Sequence, residues 1–147
     1  MPSPPGEYTV LVYEYLTGGG LYSGSPGALP VSSLLAEGAA MVQALIADFQ
    51  SLAGYRVHAL RDARQTELDL GECDVHLIHD RGQELQSLRE WSARADWTVV
   101  IAPETGGALT RRVEVVEQAG GRLLGPGSAW VHLASDKTET ARRLRAA

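Results

Sequence analysis

Residues able to do chemistry gather in a few short stretches of this chain. Gly18-Gly19-Gly20 follows an apolar run, where a phosphate-cradling turn would sit. A dinucleotide turn needs G-x-G-x-x-G leading directly into a helix, whereas here the sixth position is Ser23 and the next helical pattern starts about ten residues later. A P-loop needs a lysine after its glycines, and none follows these. A phospho-acceptor receiver site would draw on Glu14 and Asp80, yet Ile101-Ala102-Pro103 lacks the serine or threonine expected at the fourth strand end. His76 and His79 stand three apart on an extended segment, so their side chains face opposite ways and do not chelate together. His58 and His132 have no cysteine or carboxylate partner at ligand spacing. Cys73 is the only cysteine: it excludes an intrachain disulfide and, with no nearby histidine, reads as a structural thiol. There is no G-x-S-x-G nucleophile elbow.

The elements that position these residues alternate between two periods. Tyr8–Tyr15, Tyr55–Leu60, Cys73–His79 and Trp97–Ala102 are short runs rich in aromatic and β-branched residues and read as buried strands. A short fifth strand is expected at Arg122–Leu124. Leu34, Met41, Leu45 and Phe49 recur at the spacing of an amphipathic helix, with Ser32 and Ser33 as its caps and Gly54 beyond its end. Further helices are expected over Gln83–Ala95, Leu109–Gln118 and about 128–134 and 136–146; Arg142-Arg143-x-Arg145 reads as a solvated face. The alternation predicts a doubly wound, mainly parallel α/β sheet of four to five strands with helices on both faces. Of the 16 glycines and 7 prolines nearly half fall within residues 1–30, which predicts a loose tail over 1–7 and a long loop at 15–31. In open parallel sheets ligands bind beyond the carboxyl ends of the strands. Those ends are Glu14–Gly20, Arg61-Asp62, His79-Asp80, Ala102–Thr105 and Gly125-Pro126.

Composition narrows the classes. The 147 residues favour one domain, and 44% hydrophobic with 21% charged residues supports a core. A net charge of −5 argues against a nucleic-acid or anionic-membrane surface. No apolar run approaches the roughly 20 residues of a membrane span, and the start of the chain lacks signal-peptide regions. A cytoplasmic location is the expectation.

Three stretches together resemble the N-terminal, pre-ATP-grasp domain of ATP-grasp carboxylate–amine ligases. The first runs from Val10 to Met41, with Glu14-Tyr15-Leu16-Thr17-Gly18-Gly19-Gly20 and then Ser33-Leu34-Leu35-Ala36-Glu37-Gly38 opening a helix. The second, Asp96–Gly107, is similar to the family's Pro-Glu end of strand four and contains Glu104. The third, Leu124-Gly125-Pro126-Gly127-Ser128 followed by Leu133-Ala134-Ser135-Asp136-Lys137-Thr138, resembles the L-G-P-S…A-x-D-K passage into the ATP-binding part. Within the superfamily the first pairing looks closest to a group that includes tyramine–glutamate ligases. The resemblance implies a pre-ATP-grasp domain over 8–134 and, over 135–147, the start of a link into an ATP-grasp domain missing from the chain.

The resemblance also implies roles. The parent enzyme would activate a carboxylate as an acyl phosphate with ATP and Mg²⁺, then let an amine displace phosphate. Thr17, Gly18, Gly19, Gly20, Ser32, Ser33, Glu37 and Glu104 would hold substrate, the glycines by backbone N–H groups, the serines by their hydroxyls, and Glu37 by pairing a substrate ammonium. Glu37 reads equally as a first-turn acid favoured by the helix dipole. Lys137 would contact ATP phosphates. No catalytic or metal-ligating residue is assigned, and this chain alone is expected to be an inactive fragment with no bound cofactor. The partners would be a small-molecule carboxylate and amine, the ATP-grasp domain, and a second copy of the chain covering Trp130, Val131, Leu133 and Leu144 or the face around Leu16, Leu21 and Tyr22. The alternative is a stand-alone, non-catalytic flavodoxin-like binding or scaffold module.

Overall fold

The computed structural model describes residues 7–23 and 33–146. Ser32, residues 24–31 of the expected long loop and almost all of the expected tail lie outside the described residues.

Four strands form one sheet: β1 (Tyr8–Glu14), β2 (Tyr55–Asp62), β3 (Asp74–Ile78) and β4 (Trp97–Ile101). Their order is β3-β2-β1-β4 and every pairing is parallel, with Val10 opposite Val57 on one side and Trp97 on the other. Among the described residues five α-helices accompany them: α1 (Ser33–Gln50), α2 (Arg81–Arg94), α3 (Ala108–Gln118), α4 (Ser128–Ser135) and α5 (Lys137–Ala146). None of the described helices is long and apolar enough to cross a membrane.

The period-2 rule divides β1 between two cores. Val10 and Val12 pack with Val42 and Ile46 of α1, Val57 and Ala59 of β2, and Leu70. Leu11 and Tyr13 point the other way, onto Leu88 of α2, Val115 and Val116 of α3, and Leu60 and Ile78. A strand buried on both faces needs apolar residues at successive positions, which is why Val10–Tyr13 reads as an unbroken run.

Two expectations change at element ends. Asp80 accepts the Gly82 and Gln83 N–H groups at 2.8 and 3.0 Å and so starts α2 at Arg81, ahead of the expected Gln83. The expected fifth strand is a single parallel bridge between Thr98 and Leu123. Glycines at 120–121 and the Gly125-Pro126 break leave too few residues there for a ladder.

Candidate functional site

The chain passes from β1 to β2 and β3 on one side, then returns to place β4 on the other side of β1. The order therefore reverses between β1 and β4, and their carboxyl ends splay around a crevice. A cleft of about 530 Å³ lies there, bounded by Tyr15 after β1, the Thr105-Gly106-Gly107 turn after β4, and the first turns of α2 and α3. Gly106 and Gly107 have φ of 63° and 70°, a left-handed pair that glycine adopts without strain and that swings the chain into α3. Arg81, Arg111 and Arg112 complete the walls. A more open groove of about 810 Å³ shares Leu85, Gly107 and Arg111 with the cleft and runs outward past Glu104, Glu114 and His132.

The Arg112 wall is fixed from beneath. Arg112 Nε and Nη2 donate to Glu84 Oε1 and Oε2 at 3.0 and 2.9 Å, and Nε also reaches the Tyr13 hydroxyl at 3.1 Å. Tyr13 donates to Glu84 Oε1 at 2.5 Å, and the Tyr15 ring lies 4.5 Å from the Arg112 guanidinium carbon. Tyr13, Glu84 and Arg112 are buried. Burial, reinforced by the Glu84 charge, pushes the Tyr13 hydroxyl well above its ordinary range, so it stays a donor. Burial opposes the Arg112 charge, but Tyr13 and Glu84 outweigh it and hold the guanidinium protonated.

The residues expected to hold substrate are not brought together in this cleft. Thr17, Gly18, Gly19 and Gly20 are buried. The Gly18 N–H donates to Glu14 O at 2.7 Å and the Gly20 N–H to Tyr15 O at 2.9 Å, so two of the three glycine N–H groups expected to meet substrate are engaged within their own turn. A side chain at position 20 would overlap the Tyr15 ring, so glycine is required here for packing. The Thr17 hydroxyl and N–H both donate to Glu14 Oε2 at 2.8 Å, and the Leu16 N–H donates to Oε1 at 3.0 Å. Glu14 is thus the clasp of the loop, a role the sequence reading did not assign. Its carboxylate abuts Gly38 of α1, where an added Cβ would lie 2.8 Å from Oε2. Ser33 and Glu37 are exposed on the first turns of α1. Glu104 is exposed at the end of β4 and lines the open groove. Lys137 opens α5, exposed, and its side chain makes no hydrogen bond or ion pair to a described residue.

Two further polar clusters lie away from the cleft. Asp62, wholly buried at the end of β2, takes the Arg64 guanidinium at 2.6 Å, and that guanidinium stacks 3.9 Å from the Tyr22 ring centre. His58, read as unpartnered, meets His76 on the neighbouring strand: Nδ1 and Nε2 are 3.0 Å apart, and both rings stack on Trp91 of α2. The reason is register, since residues two apart on β2 and β3 share a face, which sequence spacing alone does not show. Burial raises the Cys73 thiol, in line with a structural residue.

No group of three His, Cys, Asp or Glu able to hold a metal ion converges among the described residues.

An open 3-2-1-4 parallel sheet with an arginine-walled cleft at its strand-order reversal defines a doubly wound α/β domain. The family model described as the pre ATP-grasp 3 domain matches residues 55–131, just over half of the chain. The chain belongs to that family and is a pre-ATP-grasp domain of the ATP-grasp superfamily. A comparison with the curated proteins gives no match.

Proposed function

We propose that the chain is the substrate-binding domain of an ATP-dependent carboxylate–amine ligase that works through an acyl phosphate. The observation that carries this reading is the cleft between the β1 and β4 ends, walled by Arg81, Arg111 and Arg112, in a chain of the pre-ATP-grasp family. Guanidinium groups suit a substrate carboxylate because their N–H forks match its two oxygens. ATP and Mg²⁺ belong to the ATP-grasp part of the enzyme, where they supply the phosphoryl group. Lys137, on the segment that resembles the passage into that part, is its contact with ATP phosphates. Thr17, Gly18, Gly19 and Gly20 act by holding the end of β1 in shape, and Ser32, Ser33, Glu37 and Glu104 supply polar groups to the substrate. A second copy of the chain covers the exposed Trp130 and Leu144. In this reading the enzyme works in the cytoplasm, where ATP is available.

The test uses a polypeptide carrying this chain together with its ATP-grasp domain. ADP and inorganic phosphate should form only when a carboxylate and an amine are both present, and Lys137→Ala should raise the ATP requirement. AMP formation, or ATP turnover by the 147-residue chain alone, would overturn the reading in favour of another chemistry. A chain that binds no small carboxylate or amine would favour the stand-alone scaffold module.

A further inference from the structure

Among the described residues, the lining of the switch-point cleft contains three arginines and no aspartate or glutamate, in a chain whose net charge is −5. These arginines are not equivalent. Arg112 is buried and its charge is matched by Glu84 through two hydrogen bonds. Arg81 and Arg111 are exposed, and their side chains make no hydrogen bond or ion pair with any described residue. Four arginines outside the cleft are in ion pairs, Arg56 with Asp74, Arg64 with Asp62, and Arg142 and Arg143 with Glu139, while Arg94 and Arg122 lie over the Trp91 and Trp97 rings. The backbone at the cleft offers little competition for an anion. Asp80 already takes the Gly82 and Gln83 N–H groups of α2. At the start of α3, the Ala108 N–H goes to Thr105 O and the Leu109 N–H to Pro103 O. What remains uncompensated is two positive side chains, one from each helix, on a cleft large enough for a small metabolite.

We infer that this cleft receives a small dianion, a ligand carrying two negative charges, with Arg81 and Arg111 as its charge-matching residues. The inference rests on the ligase reading only in taking the ligand to be that enzyme's acid substrate. The recognising chemistry is the same for a dicarboxylate and for a phosphoryl group. Arg112, tied to Glu84 and Tyr13, supplies a rigid wall and contributes no net charge. Asp80 is engaged as the α2 cap, Glu84 is matched by Arg112, and Glu104 and Glu114 line the adjoining groove rather than the cleft.

The experiment is a titration of the 147-residue chain, followed by backbone amide shifts, with succinate, inorganic phosphate and acetate at low ionic strength. Either dianion should bind about tenfold or more tightly than acetate, because each guanidinium then meets its own charge. The shifts should centre on residues 81–85 and 104–112. Arg81→Gln and Arg111→Gln should each weaken dianion binding about tenfold, Arg142→Gln should leave it unchanged, and added KCl should weaken it through screening. The stronger of succinate and phosphate identifies the source of the dianion, and either result supports the inference. Equal affinity for acetate, wild-type binding by both arginine variants, or shifts centred elsewhere would overturn it. Those outcomes, found alongside intact amine-dependent ADP release by the polypeptide with the ATP-grasp domain, would remove the cleft assignment and leave the ligase standing.

Discussion

Glu84 and Arg112 bind each other in a two-pronged ion pair at 3.0 and 2.9 Å, wholly inside the protein, where α2 meets α3. The pair lies directly under the cleft, and Tyr13 of the central strand bonds to both partners.

Removing one partner of such a pair leaves the other charged and unmatched, at a cost of about 3–5 kcal/mol. Glu84→Leu should therefore lose about that much stability in urea unfolding. The double variant Glu84→Leu, Arg112→Leu should recover most of it, because an apolar replacement for both leaves no orphan charge. A double variant no more stable than the single one would show that the pair is not the source of the loss.

Gly38→Ala tests the clasp between β1 and α1. In an ordinary helix interior alanine is more favourable than glycine by roughly 0.5–1 kcal/mol. Here the new methyl would meet the Glu14 carboxylate, which is held by the Leu16 and Thr17 N–H groups and cannot swing aside freely. The substitution should lower the unfolding midpoint, reversing the usual sign. Glu14→Asp, one methylene shorter, should relieve part of the loss in a double-mutant cycle.

The histidine pair predicts a pH dependence. Burial lowers both His58 and His76 below the ordinary imidazole value of 6.5, with the neighbouring ring adding to the shift at His76. Asp74 opposes this, while Arg56 beside His58 and Arg94 of α2 beside His76 reinforce it. The fold thus favours the neutral rings. Its stabilisation is fully present above about pH 6.5 and is lost as pH falls through the lowered folded values. Urea midpoints measured from pH 7.5 to pH 5 should fall for the native chain, and replacing both histidines by glutamine should flatten that part of the curve.

Trp130 and Leu144 are 69% and 75% exposed on α4 and α5, whereas Val131 beside Trp130 is buried. Sedimentation of the native chain should show concentration-dependent dimers, and Trp130→Glu should shift the population to monomers. A monomeric native chain at high concentration would count against self-association.

Much of the fold is legible in sequence because strand and helix leave separate periodic marks. Val10–Tyr13 announced a strand covered on both sides, and the spacing from Leu34 to Phe49 announced α1. The site is less legible because its walls come from distant segments. Arg81, Arg111 and Arg112 look like ordinary surface charges until the sheet order brings the starts of α2 and α3 to one crevice. The glycine run carries a constraint that spacing does not show: Gly18 and Gly20 direct their N–H groups to carbonyls of the same turn. The His58–His76 pair depended on the parallel register of β2 and β3, which no linear spacing encodes.

The lone bridge at Leu123 has a bearing on solubility. Thr98 gives its outward N–H to Arg122 O at 2.7 Å, and its C=O accepts from the Leu124 N–H at 2.8 Å. An incoming strand from another molecule would find those ladder positions already taken. Three residues that fail to make a full strand thereby act as a stopper on the β4 margin, guarding against the edge-to-edge stacking by which exposed sheets aggregate.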